Sequence, residues 1–456
     1  MNENQSFFTR RDLFTKEIVG KALKKCLDLG LTYERGDGAC EVIDLLLTPA
    51  IFDKARIDYI YGTCKFLEKL FLRVSSLRNH IQEIAEILPF EPEEEEFILK
   101  YSGSARKGTI FPRWDADLHL NGNGDVSFKF FEVNAVAIGG IHYSPTSEEI
   151  ILEVISSIPE FGELRKRLFP NPDPRGLFIE TCLEHSRNLG DGEFSIAWLE
   201  DKRWDEGITE GPSIVHHLNR QRIKAFYCDP KELSVKNGEI YFKTEPVKVI
   251  YRNMELRDLI EIEKESGTLD ALRHAFGGNR VISSVNAEFD HKSVFEIFTN
   301  DRFSFLFNSE ETELLKRHIP WTRFVREGKT ACKYGDSIDL IDFISKNKDV
   351  LVLKPNRACG GEGIVIGRIT TEQEWESAVG AALKGNSGGW IVQEYIESAN
   401  IKSMTLKRMD DDVLTLFTTY GFIAAPGGMG ILGRASSEPI VNVSRGGGVL
   451  AALRFI

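Results

Sequence analysis

The run at 351–367, LVLKPNRACGGEGIVIG, brings a lysine to the end of an apolar stretch, breaks into glycine and then turns apolar again. Lys354 would project one cationic charge from a strand end. Gly360, Gly361 and Gly363 would let backbone N–H groups approach an anion without Cβ obstruction. That is phosphate-holding chemistry, so nucleotide binding is the first expectation. An ordinary hairpin turn behind a solvated lysine has the same local pattern. The β-rich run WIVQEYIE at 390–397 favours the nucleotide, because it reads as a neighbouring strand whose backbone could hydrogen-bond adenine.

A second set of residues suits a metal ion. Glu132 and Asn134 lie two apart on a strand-like run, so both side chains leave one face, and a partner strand can bring Asp115 or Asp117 beside them. The two aspartates point the same way, and the sequence does not choose between them. Magnesium takes oxygen ligands and shares its shell with water and phosphates, so two carboxylates and an amide oxygen suffice. Cations are also available. Arg434 and Arg445 stand beside a second glycine cluster in GRASSEPIVNVSRGGGVL, and guanidinium groups match phosphate oxygens bidentately. Lys292 sits at the start of the helical run SVFEIFTND, where a lysine is unfavourable unless an anion or carboxylate answers it. Phosphate contact and a surface salt bridge both satisfy that condition. The aromatic residues of IFPRW and FFEVN read as core.

The elements that must position these residues change character along the chain. Residues 12–100 carry apolar residues at helical spacing, and EPEEEE at 91–96 reads as a helix start with carboxylates at the positive dipole end. DADLHL and VSFKFFEVNAVA alternate around NGNGD, a hairpin signal. The segment 193–252 reads as a small β–α–β unit with an added hairpin, helices dominate 261–301, and strands return from 349 with a helix at 372–384. The expected organisation is a helical region at 1–105, a metal-binding part at 106–190, an inserted α/β domain at 191–258 and a nucleotide-binding part with a glycine-rich lid hairpin at 259–456.

Composition restricts the partners. The chain has 456 residues, 42% of them hydrophobic, which is ordinary globular composition for two or three domains. A net charge of −12 argues against broad adhesion to nucleic acid or to an anionic membrane, while leaving room for a local basic funnel. Seven scattered cysteines without a Cys-x-x-Cys pair indicate neither zinc nor a disulfide framework. The first residues lack a secretory apolar core, and no run of 18 apolar residues occurs, so a cytoplasmic protein is expected.

Taken in order, these motifs resemble the ATP-grasp superfamily, in its circularly permuted branch that includes glutathionylspermidine synthase-like ligases. The metal-type strand pair precedes the lysine–glycine hairpin by more than two hundred residues, which is the permuted order. The resemblance runs from about residue 113 to 448 and leaves the first hundred residues uncovered. It implies an α+β ATP-grasp fold with ATP and Mg2+ as cofactors. It places Asp115, Glu132 and Asn134 on the metal, and Lys292 and Lys354 on the nucleotide phosphates; Gly361 and Arg445, from the two glycine clusters, are further nucleotide-binding candidates. Gln393, Glu394, Tyr395 and Ile396 would line the adenine site, and Arg113 and Arg434 would face the transferring phosphate. The implied activity is ADP-forming ligation of a small-molecule carboxylate to an amine through an acyl phosphate; amino acids, small peptides and polyamine conjugates are all compatible substrates. A non-catalytic nucleotide-binding module and a phosphotransferase are the competing functions. One departure stands out, because relatives often carry a basic residue next to Glu-Gly where this loop reads NRACGGEG.

Overall fold

Asp53 begins a long helix, Lys54–Leu77, by accepting a hydrogen bond from the Arg56 N–H at 2.8 Å. Ile57, Ile60, Cys64, Leu67, Leu70, Phe71 and Val74 recur every three or four residues along it and are all buried. This stripe packs against the strand Leu414–Ala425, and Phe71 meets Trp114 edge-on with ring centroids 6.4 Å apart. The first hundred residues are therefore built onto the sheet that carries Asp115. They are not wholly helical, as their spacing suggests. Thr32–Glu34 pairs with Cys40–Val42, and Ala50–Asp53 runs parallel to Ala452–Phe455 at the other end of the chain. Strands this short have no readable period, and the partner of Ala50–Asp53 is remote in sequence.

The structure is a computed structural model that describes residues 7–34, 38–105, 108–119, 127–203, 207–385, 388–408, 413–443 and 446–456. The NGNGD turn and Arg445 lie outside the described residues. The chain is a mixed α/β fold in which three sheets matter for the site. The largest is six-stranded, in the order Gly448–Leu450, Gly428–Ser436, Leu414–Ala425, Arg113–His119, Ser127–Asn134, with Asn400–Ser403 paired to Leu414–Ala425. Its antiparallel register sets Asp115 opposite Glu132 and Arg113 opposite Asn134. A bulge between Asp115 and Ala116 leaves Phe131 as the extra residue.

A smaller antiparallel sheet runs Thr322–Phe324, Trp390–Glu394, Leu351–Pro355, Val365–Ile366. The last two strands form the hairpin around the glycine loop, and Val352 pairs with both Ile366 and Gln393. Helix Glu372–Lys384 covers this sheet with buried Trp375, Val379 and Ala382, and its start is fixed by a Thr371–Glu374 capping box. The third sheet is parallel, Val281–Ile282, Val249–Arg252, Ser195–Leu199, Lys224–Cys228, with helix Glu210–Arg220 as its crossover. Among the described residues no helix is long and apolar enough to cross a membrane.

Candidate active site

The six-stranded and four-stranded sheets face each other across a cleft of about 960 Å³, including its open mouth. Side chains that leave the same face of adjacent strands meet there. Asp115 is 1% exposed and accepts from Arg113 Nε and Nη2 at 2.7 and 2.9 Å, from Arg434 Nη2 at 2.9 Å and from Asn134 Nδ2 at 3.2 Å. Burial alone would raise its pKa; the two guanidinium groups outweigh that and hold the carboxyl below the usual range. Gly421 allows this arrangement, because a Cβ there would lie 2.5 Å from Arg113 Cδ. Asp117 sits one pleat along. Ser398 donates to its Oδ2 at 3.1 Å, while Oδ1 is buried without a hydrogen-bond partner, and burial pushes the carboxyl up to about 7.

Lys292 and Lys354 bring positive charge to the same space. Lys292 Nζ pairs with Glu132 Oε1 at 2.8 Å and donates to the Ala358 carbonyl in the glycine loop at 2.5 Å. The carboxylate that answers a lysine at this helix start is therefore Glu132. Lys354 is 7% exposed; its Nζ donates to Gln393 Oε1 at 2.7 Å and lies 4.8 Å from the Phe131 ring centroid. Burial lowers its pKa to about 8. Gln393 is itself held by donation from Nε2 to Thr322 Oγ1 at 2.9 Å.

The glycine loop closes one side of the cleft. Gly361 has φ +75°, and a Cβ there would lie 2.6 Å from Ile440. The neighbouring Gly360 carbonyl accepts from Asn442 Nδ2 at 2.6 Å. The chain leaves the four-stranded sheet at 394–396. There the Glu394 and Tyr395 N–H groups donate to the Trp321 and Val350 carbonyls, and the Ile396 N–H forms no hydrogen bond among the described residues.

Asp115, Glu132, Asn134, Arg113, Arg434, Lys292, Lys354, Gly361, Gln393, Glu394, Tyr395 and Ile396 all border this one cleft. The sequence reading missed Phe131, Ser398, Thr419 and Asn442, which border it too. Phe131 corrects the expectation that the aromatic residues of FFEVN are core. Phe130 is fully buried, but the bulge turns Phe131 toward the cleft beneath Lys354. Asn442 lies in the quoted motif VNVSRGGG but forms no periodic pattern with the loop it holds.

The loop is also tied down from behind. Arg357 makes two 2.6 Å hydrogen bonds to Glu94 on helix Pro92–Ala105, with the carboxylate side chain only 2% exposed. The EPEEEE run thus supplies a loop anchor as well as helix-dipole carboxylates. Arg357→Ala leaves Glu94 buried without its cation, and a loss of about 3–5 kcal/mol of stability is expected. Denaturant melts check this, and limited proteolysis should show faster cleavage within 358–363.

No protein-family model matches the chain. Among curated proteins it is 22% identical over 347 residues to uncharacterised proteins of Mycobacterium tuberculosis and Mycobacterium bovis, covering 73% of this chain and 58% of theirs. A Mycobacterium leprae protein matches at 22% over 336 residues, 71% of this chain and 55% of its own. The chain thus spans little more than half the length of the curated relatives it matches. Among solved structures, a glutathione synthetase-like effector of Globodera pallida, in apo form, superposes with a TM-score of 0.64 at 15% identity, covering 96% of each chain. The fold is glutathione synthetase-like.

Proposed function

We propose that the chain is an ADP-forming carboxylate–amine ligase of the circularly permuted ATP-grasp type, acting through an acyl phosphate. The observation that carries this reading is the meeting of Asp115, Glu132 and Asn134 with Lys292, Lys354, Arg113 and Arg434 in one cleft beneath a glycine loop. A triphosphate and a substrate carboxylate repel each other, and fixed cations offset that repulsion where transition-state charge gathers. Lys292 and Lys354 hold the nucleotide phosphates, Arg113 and Arg434 the transferring phosphoryl group, and residues 394–396 the base. Gly361 and its neighbours exclude water from the acyl phosphate.

The donor set fits magnesium: two carboxylates and an amide oxygen lie on neighbouring strand positions, with no histidine or cysteine among them. Asp115 is assigned in preference to Asp117, because its cross-strand partner is Glu132 and its side chain touches Asn134. When bound there, magnesium would neutralise phosphate oxygens as a Lewis acid. Here Glu132 is paired with Lys292 and Asp115 with both Arg113 and Arg434, so all three cations exchange partners when nucleotide enters.

Hydroxylamine trapping tests the reaction class. A ligase converts its carboxylate substrate to a hydroxamate with ATP and magnesium, whereas a phosphotransferase or a non-catalytic module gives none. A panel of carboxylates scored by ADP release identifies the substrate first.

The lowered Lys354 pKa sets a pH dependence. Triphosphate favours the charged amine, so the complex loses this proton at higher pH than the free chain. Between those two pKa values binding takes up one proton, so MgATP affinity should fall about tenfold per pH unit above 8. Calorimetry in buffers of different ionisation heat measures the uptake, and Lys354→Met should abolish it.

A further inference from the structure

Past the Glu132–Lys292 pair the cleft continues into a second chamber of about 640 Å³, including its mouth. Glu132, Asn134, Lys292 and Ala358 border both spaces. The chamber is also bounded by Glu255, Glu288, Asp290, His291 and Arg357, with Cys359 exposed at its edge.

Its charges are unevenly committed. Glu288 pairs with Arg252 at 2.5 Å and Glu255 with Arg257 at 2.7 Å, while Arg357 is turned to Glu94. Asp290 Oδ2 accepts from the Ala135 and Val136 N–H groups at 2.7 and 3.2 Å, and Asp290 forms no ion pair among the described residues. His291 is 2% exposed, packs on Phe90 with ring centroids 4.7 Å apart, and has both ring nitrogens buried without a hydrogen-bond partner. A buried imidazole in that condition costs stability unless a ligand answers it. Burial, reinforced by the nearby Arg357, Arg78 and Lys292, keeps it neutral, so one nitrogen is free to accept. An anion would meet a wall rich in carboxylates. An alcohol has one O–H to donate, whereas Asp290 and His291 can both accept.

We propose that this chamber binds a protonated primary amine through Asp290, Glu255 and His291, and that it is the acceptor subsite of the ligase. The second clause rests on the function proposed above. The ammonium donates to the Asp290 carboxylate and to the unprotonated nitrogen of His291, next to the Lys292–Glu132 pair that both spaces share. To act as the nucleophile it gives one proton to Asp290; the neutral amine then attacks the acyl carbon, the C–N bond forms as the C–O bond to phosphate breaks, and the departing phosphate takes the amine's second proton.

The test uses the whole chain and three probes of equal length: n-butylammonium, butyrate and butanol. Alkylation of Cys359 by iodoacetamide, read by mass spectrometry against exposed Cys40, should slow with butylammonium alone. Asp290→Asn should raise the half-protecting concentration at least tenfold. Asp290 also holds the 135–136 turn, so Glu255→Gln and His291→Phe serve as second variants, and the His291 imidazole resonance of the unaltered protein should move with butylammonium. Equal protection by butyrate or butanol, no protection by butylammonium, or protection unchanged in all three variants overturns the proposal. A MgATP titration on the same samples separates the two readings. Butylammonium protection without MgATP binding upholds the amine site and refutes only the ligase.

Discussion

Lys354→Met is expected to cut ADP release at least a hundredfold and to weaken MgATP binding, while leaving the melting temperature unchanged or raised. The rate loss follows from removing one cation aimed at developing phosphate charge, a change that typically costs about 3 kcal/mol of barrier. The direction of the stability change follows from burial. Lys354 is 7% exposed, and burial lowers its pKa to about 8, so the fold disfavours the charged amine that function needs. Methionine keeps the stem over the Phe131 ring and removes the charge. Calorimetry and a coupled ADP assay give binding and turnover; a thermal melt gives stability. Normal turnover would take Lys354 out of the site.

Glu132 should show the opposite stability trend with a similar kinetic effect. Its carboxylate pairs with Lys292, which is itself buried, so Glu132→Ala leaves a cation in the interior without its counter-charge. Breaking such a pair typically costs about 3–5 kcal/mol, and a loss of activity in that variant would confuse folding with chemistry. Glu132→Gln keeps an oxygen for Lys292 and removes the charge. ADP release is expected to fall about a hundredfold, with most of the stability retained and the magnesium concentration for half-maximal rate raised. Both variants belong in one experiment, with circular dichroism and melts alongside the assay. Near-normal turnover of the glutamine variant would remove Glu132 from the metal set.

Much of the site was legible because strand periodicity carries it. Glu132 and Asn134 two apart, Lys354 at a strand end and Gln393 on the neighbouring run each follow from alternation, and antiparallel pairing then sets Asp115 opposite Glu132. Where periodicity fails, the sequence reading failed with it. The bulge beside Asp115 turned Phe131 into the cleft, and no composition signal marks a bulge. Asn442 and Ser398 act from irregular segments, and Arg357 finds Glu94 across some 260 residues. The short strands at 32–53 were invisible because three or four residues show no period, and the register of Ala50–Asp53 is set by the far end of the chain. His291 was passed over as part of a helix start, since burial without a partner is a property of the folded surroundings.

The ligase reading depends on where a nucleotide binds. A crystal structure of the chain with magnesium and a non-hydrolysable ATP analogue locates it directly. The expected result is a triphosphate between Lys292, Lys354 and the Gly360–Gly361 turn, with magnesium on Asp115, Glu132 and Asn134 and the base against 394–396. A nucleotide bound elsewhere, or none at saturating concentration, would contradict it.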